Sequence, residues 1–293
     1  MDGEYKMEKN DMCVDDGLVM PETRVWSKTK HKKIKYYFDL FSTSMKNKWK
    51  NRIYIDLFSS AGKAIIKETS EIIIGSPLLA LSVKDKFDKY IFVEKEDDYF
   101  HSLQERVAMY FPKQSVSLIN GDCNTCINTI ISHVPQFSKE NNGLSLCFLD
   151  PYNANQLSFN TIKAIADSLY VDFLVLIPSY MDINRNEHMY TRKDDTTLDD
   201  YLGTKEWRKA WENNTTHYKK FGLFIADYFC KRMKEMGYLY EDLTDAELIR
   251  MEIDQNLPLY HIAFFSRNKL GYRFWKDTKT NTTDQIDFCF DGE

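Results

Sequence analysis

The chain has 293 residues, of which 43% are hydrophobic and 28% are charged, and these proportions are typical of a soluble globular protein. Its formal net charge of −5 provides no overall positive charge for binding a polyanion. No apolar run approaches the roughly 18 residues of a membrane span, and six cysteines over this length do not make a disulfide framework. Composition therefore excludes membrane, fibrous, small secreted and disordered proteins. It favours a cytoplasmic α/β or α+β enzyme or binding protein.

The first 22 residues are mostly polar and show no hydrophobic period. They predict a flexible or loosely docked arm, followed by one enlarged domain over residues 23–293. The acidic, polar start of this arm is unlike a signal peptide or a transit peptide.

A basic segment follows the arm, because residues 24–52 contain ten basic residues and one acid. Apolar residues recur within it at helical spacing, which predicts a basic amphipathic helix. The polar face includes Lys30 and Lys33. Such a face suits either the phosphates of a nucleic acid or a solvated surface, and the second alternative is the more common one.

Beyond residue 52, short apolar runs alternate with segments of helical period. The runs that predict strands are 52–58, 89–95, 116–122, 144–150, 171–178 and 258–266. The segments that predict helices are 75–87, 98–111, 123–134, 158–169 and 218–238. Nearly continuous apolar strands separated by helices are typical of right-handed βαβ units. The sequence therefore predicts an α/β fold with a doubly wound, mostly parallel, Rossmann-like sheet and helices on both faces.

Residues 180–213 interrupt this alternation with a polar, charged stretch that contains Trp207 and Trp211. The stretch is longer than a plain connection between a strand and a helix, so it predicts an inserted lid. After the last strand, residues 269–278 predict a final helix or strand.

Acids stand at the ends of four consecutive predicted strands, at Asp56, Glu94, Asp122 and Asp150. Ligands of a doubly wound sheet bind at the carboxyl ends of its strands, so these acids predict a ligand site. Glu94 is placed to accept hydrogen bonds from both hydroxyls of a ribose, and Asp122 from an exocyclic amine. S-adenosylmethionine fits this pattern better than NAD does, because the chain lacks the G-x-G-x-x-G that seats a pyrophosphate.

The same residues have structural alternatives. Glu94 is then a solvated acid at a strand end, and Asp122 caps the following helix, for which aspartate is a preferred residue. Cys123 and Cys126 form a C-x-x-C, but no second pair lies nearby and the histidines show no metal spacing, so we expect no metal site. Lys63 follows a small-residue turn without the spacing of a P-loop, which disfavours a nucleotide-hydrolysing enzyme or nuclease.

Two motifs resemble those of class I S-adenosylmethionine-dependent methyltransferases. DLFSSAGK (56–63) is similar to their first motif and FLDPYN (148–153) to their fourth. The wider order of motifs resembles the three-Cys-motif partner protein family over residues 26 to 278. That order is Trp26 and Lys30-His31 before a basic helix, GSPLLAL (75–81), FVEKE (92–96), VDFLVLIP (171–178) and FFSRNKLGYRFWK (264–276).

The resemblance implies a methyltransferase-like Rossmann domain whose relatives are commonly encoded beside a radical-S-adenosylmethionine-like protein with three cysteines. Carried over residue by residue, it implies cofactor-binding roles for Asp56, Phe58, Ser59, Gly62, Glu94 and Asp122. It also implies that Asp150, Pro151 and Tyr152 face the methyl acceptor. Two positions depart from the family pattern: Ser59-Ser60 in the cofactor turn and Asn153 after the acceptor motif.

In a methyl transfer, Asp150 and the carbonyl of Pro151 would hydrogen-bond an exocyclic amine, and Tyr152 would stack on a flipped base. The alternative for Tyr152 is a core aromatic residue. Arg185 lies where an acceptor phosphate or the lid would meet it, or it is a surface arginine. The leading function is therefore S-adenosylmethionine-dependent methyl transfer, most of all to a nucleic acid. The alternative is a non-catalytic partner of the three-cysteine protein.

Overall fold

A computed structural model describes residues 12–213, 218–251, 256–273, 275, 276 and 279. Its strands are β1 (Glu22–Thr23), β2 (Asn51–Asp56), β3 (Lys63–Ile66), β4 (Ile72–Ile74), β5 (Lys89–Glu94), β6 (Val116–Asn120), β7 (Gly143–Leu149), β8 (Val171–Ile177), β9 (Glu247–Arg250) and β10 (Pro258–Phe265). Its helices are α1 (Ser27–Met45), α2 (Ser76–Leu81), α3 (Asp97–Tyr110), α4 (Ile127–His133), α5 (Phe159–Ser168), α6 (Glu187–Tyr190), α7 (Thr197–Leu202), α8 (Trp207–Glu212) and α9 (Phe221–Glu235).

Two parts of the sequence predictions lie outside the described residues. They are residues 1–11 of the predicted arm and residues 274, 277 and 278 of the predicted last element. None of the described helices is long and apolar enough to cross a membrane.

The chain folds into two compact units. Of the described residues, the first unit holds 12–148 and 168–170, and the second holds 149–167 and those from 171 onward. The single domain predicted over residues 23–293 stays a prediction.

Parallel strands form the main sheet of the first unit, in the order β6-β5-β2-β7. The first strand of this set in the chain, β2, lies between the second and the fourth, so the strand order reverses at β2. The register pairs Asp56 of β2 with Phe92 of β5 and with Phe148 of β7. The predicted α/β class with a mostly parallel, Rossmann-like sheet is confirmed.

Helix α1 packs an aromatic face on this sheet. Its side chains Ile34, Tyr37, Phe38 and Phe41 are buried, as the helical spacing predicts. The Phe38 ring lies 4.9 Å from that of Tyr54, measured between centroids, in an edge-to-face arrangement that aromatic pairs prefer. These aromatic side chains therefore belong to the core of the first unit.

A small second sheet was not predicted. Strand β3 pairs in parallel with β1 and antiparallel with β4, in the order β1-β3-β4. These strands have only two to four residues, too few to show the alternation by which a strand is predicted. Through β1, residues just before α1 are held against the chain that leaves the end of β2.

In the second unit, β10 lies between β8 and β9 and is antiparallel to both. All seven residues of β8 are buried, as expected for its continuous apolar run. Strand β9 was not predicted, because its sequence, ELIR, has only two apolar residues between charged ones and is too short a run to indicate a strand.

The predicted lid over residues 180–213 consists of a π-helical turn, Ser179–Ile183, followed by α6, α7 and α8. Trp207 is buried and its indole N–H donates to Asp199 at 2.8 Å. Trp211 packs on Phe221 and Phe224 of α9, with ring centroids 5.1 Å apart in both pairs. The segment is therefore a packed helical part of the second unit, and a lid function for it stays a prediction.

Candidate functional site

The first predicted site residue, Asp56, ends β2 in the first unit and is fully buried. Its carboxylate accepts the Tyr54 hydroxyl at 3.2 Å and the backbone N–H of Phe58 at 3.1 Å. The Ser59 hydroxyl donates to the Asp56 carbonyl oxygen at 3.1 Å. Asp56 and Ser59 therefore shape the turn that leaves β2, and their contact with a cofactor stays a prediction.

The turn after Ser59 has an unusual backbone conformation. Ser60 has φ 53° and Gly62 has φ 81°, in the left-handed region that glycine adopts at little cost and serine does not. A side chain at Gly62 would begin 3.0 Å from a methyl carbon of Leu103. The Gly62 carbonyl accepts the backbone N–H of Gly75 at 2.7 Å, which joins the turn to the start of α2. The small-residue turn predicted from the sequence is thus a tightly held backbone element.

Glu94 ends β5 beside this turn. Its Oε2 accepts the backbone N–H of Ser60 at 2.6 Å, and its Oε1 accepts that of Glu96 at 2.8 Å. Glu94 is buried, which contradicts the alternative of a solvated strand-end acid. Burial raises the pKa of its carboxyl group, against the opposing effect of the Glu96 and Ser60 N–H groups. A carboxylate has about four lone-pair sites, so Glu94 can accept a further hydrogen bond beside those from backbone N–H groups.

Asp122 follows β6, and the Gly121 N–H before it donates to the Glu94 carbonyl at 2.8 Å. The Asp122 carboxylate accepts the Asn124 backbone N–H at 2.9 Å and the Lys95 ammonium at 3.2 Å. Burial has the largest single effect and raises the pKa of Asp122, but the hydrogen bonds and the charge of Lys95 together lower the pKa below its usual value. Asp122 caps a turn before α4, which begins at Ile127 and not at the predicted residue 123. The structure thus brings the first turn, Glu94 and Asp122 together within one unit.

The predicted acceptor residues belong to the second unit. Asp150 follows β7 directly, Pro151 is buried, and Tyr152 is 79% exposed. The alternative of a core aromatic residue at position 152 is wrong. The Tyr152 backbone N–H donates to the Gln156 side chain at 2.7 Å, so the loop is folded while the ring stays free of the core. An exposed tyrosine ring is able to stack on another ring, and the base-stacking role of Tyr152 stays a prediction.

Two polar groups of this loop are buried, the Asn153 side-chain oxygen and the Ala154 backbone N–H. The Asn153 side-chain oxygen is buried and accepts no hydrogen bond among the described residues. The backbone N–H of Ala154 donates to the buried Asp182 at 2.8 Å. Asp182 also accepts the Tyr190 hydroxyl at 2.8 Å and the Asn186 amide at 2.8 Å. This carboxylate fixes the loop by its backbone, a role that no sequence signal indicated.

The remaining predicted residues are Arg185, Lys30 and Lys33. Arg185 is exposed and follows the π-helical turn in the second unit. Lys30 and Lys33 are half-buried on α1 in the first unit, on the helix whose other face packs on the sheet. Their predicted contact with an acceptor stays a prediction.

Lys63 and Cys123 are both buried. The Lys63 ammonium is buried against Asp16 at 2.9 Å and the Val14 carbonyl at 3.0 Å, so it does not point to a phosphate. Burial raises the pKa of the Cys123 thiol to about 12, which keeps that thiol protonated and unreactive at neutral pH. Among the described residues no set of three or more His, Cys, Asp or Glu side chains is arranged to hold a metal ion.

No family model and no curated protein matches this chain. Solved structures with a similar course of the chain include protein LPL1258 from Legionella pneumophila, at 12% identity and TM-score 0.48, over 88% of this chain and 92% of that one. Trm1 from Pyrococcus horikoshii with S-adenosylmethionine is 9% identical, with TM-score 0.42 over 84% and 58% of the two chains.

A magnesium protoporphyrin IX methyltransferase from Synechocystis, with S-adenosylmethionine bound, is 8% identical, with TM-score 0.42 over 84% of this chain and 85% of that one.

Proposed function

We propose that the chain is a cytoplasmic S-adenosylmethionine-dependent methyltransferase. The observation that carries this proposal is the hydrogen bond from the Ser60 N–H to Glu94 beside the left-handed turn at Ser60 and Gly62. The turn follows β2, the strand at which the sheet order reverses, and this is where open α/β sheets bind their ligands. An acid at the end of the next strand is the usual partner of ribose hydroxyls.

The residues present fit S-adenosylmethionine better than a dinucleotide. A pyrophosphate needs several free backbone N–H groups at a helix N-terminus. In this turn the N–H groups of Phe58, Ser59 and Ser60 already donate to Asp56, Val93 and Glu94. S-adenosylmethionine carries no phosphate, so it does not require those groups.

Within this proposal the first unit holds the cofactor. Glu94 binds the ribose hydroxyls through the free lone pairs of its carboxylate, and Asp122 binds the adenine amine. The turn from Phe58 to Gly62 lies against the methionine end. When bound, the cofactor supplies an electrophilic methyl group, and the protein contributes orientation and exclusion of water rather than acid–base chemistry.

We propose a nucleic acid as the methyl acceptor. Tyr152 supports this, because an exposed ring on a braced loop suits stacking on an unpaired base. Asp150 and the Pro151 carbonyl would then hold an exocyclic amine. Arg185, Lys30 and Lys33 are the candidates for phosphate contacts, and their contribution would weaken with added salt.

The second candidate is a non-catalytic partner of a three-cysteine radical-S-adenosylmethionine-like protein. It is favoured by the structural use of Glu94 within the protein, since each carboxylate oxygen already accepts a backbone N–H group. In that case the turn is a structural element, and the exposed Tyr152 ring is a contact for another protein.

Titration calorimetry with S-adenosylmethionine tests the proposed function, because a partner protein would bind S-adenosylmethionine or nothing. We expect micromolar binding by the natural chain and its loss in Glu94→Gln, which keeps an acceptor for the Ser60 N–H but removes the charge. The matched control is Glu105→Gln, which changes an exposed acid on α3. Absence of binding by the natural chain would overturn the proposed function and favour the partner protein.

A further inference from the structure

A buried arginine of α3 reaches the proposed cofactor turn. Arg106 is fully buried, and its Nη1 donates to the carbonyl oxygen of Ala61 at 2.6 Å. Leu103, one helical turn earlier, occupies the space next to Gly62 where a side chain would otherwise extend. Helix α3 therefore contacts the cofactor turn through two side chains that lie one helical turn apart. Arg106 makes a charged hydrogen bond and Leu103 makes an apolar packing contact.

The Arg106 guanidinium also hydrogen-bonds to a segment near the start of the described chain. Its Nε and Nη2 donate to the two carboxylate oxygens of Asp16, at 2.9 Å and 2.7 Å. Its Nη1 also donates to the Val19 carbonyl at 2.9 Å. The planar guanidinium thus joins Ala61 on one side to residues 14–19 on the other, in the forked geometry that lysine cannot reproduce. We call residues 14–19 the brace segment.

Lys63 makes a second connection between the turn and the brace segment. Its ammonium donates to Asp16 at 2.9 Å, to the Val14 carbonyl at 3.0 Å and to the Tyr110 hydroxyl at 2.9 Å. Burial opposes the charge on Asp16, but the hydrogen bonds from Arg106 and Lys63 hold its pKa well below the usual range. Residues 14–19, which belong to the predicted arm, are therefore fastened to both ends of the segment from Ala61 to Lys63.

We infer that Arg106 and Asp16 are positioning residues that hold the turn from Ser59 to Gly62 in its ligand-binding conformation. This inference rests on the proposed function for its ligand. The turn needs support, because Ser60 and Gly62 both have left-handed backbone angles and such conformations persist only where neighbours over-determine them. A buried ion pair is in general a weak source of stability, whereas fixing one arrangement of the chain is its better-attested use.

The test compares Asp16→Asn, Arg106→Lys and the double variant with the natural chain. A matched control is Asp199→Asn in the second unit, whose buried carboxylate accepts the Trp207 indole N–H at 2.8 Å and the Arg208 guanidinium at 3.1 Å. That variant also disturbs a buried network, but not the turn. Each protein is titrated with S-adenosylhomocysteine well below its unfolding temperature, and amide hydrogen exchange is measured for residues 59–64.

We expect the double variant to exchange these amides faster and to bind S-adenosylhomocysteine at least about tenfold more weakly, because affinity falls with the populated fraction of the competent conformation. The control should change neither quantity. Unchanged exchange at residues 59–64 in the folded double variant would overturn the inference. If the natural chain binds no S-adenosylhomocysteine, the proposed function fails, while the exchange measurement still decides whether the brace segment holds the turn.

Discussion

Asp182 accepts the backbone N–H of Ala154 at 2.8 Å, so a buried carboxylate of the π-helical turn holds the loop that carries Tyr152. The same carboxylate accepts the Tyr190 hydroxyl at 2.8 Å. Asp182→Ala would leave both donors buried without a partner. We expect it to lower the free energy of unfolding by about 1–3 kcal/mol for each stranded donor, measured by urea denaturation.

The control for this change is Asn186→Ala, which removes a donor to Asp182 and leaves the Ala154 contact intact. If Asp182→Ala and Asn186→Ala destabilise the protein equally, the loop does not depend on Asp182.

We expect Tyr152→Ala to weaken nucleic-acid binding while it leaves the stability of the protein nearly unchanged. Because the ring is 79% exposed, we expect its removal to change the free energy of unfolding by no more than about 0.5 kcal/mol. Loss of one stacked base should weaken nucleic-acid binding by about 1–3 kcal/mol, measured by anisotropy with single-stranded RNA and DNA oligonucleotides. Asn155→Ala, at an exposed position of the same loop, is the control. Equal affinities for Tyr152→Ala and the natural chain would argue against a base-stacking role.

Gly62→Ala tests the cofactor turn directly. The φ of 81° alone should cost about 1–2 kcal/mol for an alanine, and the new methyl group would begin 3.0 Å from Leu103. Gly237→Ala is the matched control, because Gly237 has φ 88° and open space around it. We therefore expect Gly62→Ala to be the more destabilising change in urea denaturation and to abolish cofactor binding. A smaller loss than that of Gly237→Ala would show that the turn adapts to a side chain.

Asp172 should give the stability of the protein a dependence on pH. Burial raises its pKa to about 7, in spite of a hydrogen bond with Ser266 and the nearby charge of Arg267. A carboxyl group whose pKa is higher in the folded protein than in the unfolded chain stabilises the fold fully below about pH 4, and this contribution is lost as the pH rises through about 7.

Asp172→Asn removes that titration. We expect the free energy of unfolding of the natural chain to fall relative to that of the variant between pH 4 and about 7, in denaturation curves at several pH values. Parallel pH profiles for the two proteins would contradict a buried, neutral Asp172.

The sheet strands and the acids at their ends were predictable, because continuous apolar runs and the residues that follow them are local features of the sequence. The acids Glu94 and Asp122 were assigned to one site on that basis. In the structure Glu94 lies beside the turn, and the Gly121 N–H next to Asp122 donates to the Glu94 carbonyl. The later start of α4 was not foreseen, since Asp122 and Asn124 form a local turn that competes with the helix.

The supporting contacts were beyond prediction for a different reason. Arg106 and Asp16 are 90 residues apart, and neither is unusual in its local pattern. Asp182 lies in a polar segment where an acid attracts no notice, although its carboxylate is buried. Only the folded chain shows which charged side chains are buried and hydrogen-bond to the backbone instead of to water.

The strand order β8-β10-β9 has a consequence for how the chain reaches its native state. Strand β10 is the last of the three to leave the ribosome, yet it is the middle one, so β9 gains its antiparallel partner only after β10 has emerged. The helices α6 to α9 are synthesised between β8 and β10, and closing so long a loop is entropically costly. During this interval the apolar β8 lacks its β10 partner. Assembly of the second unit is therefore the step at which a slowed or truncated synthesis would expose the chain to aggregation.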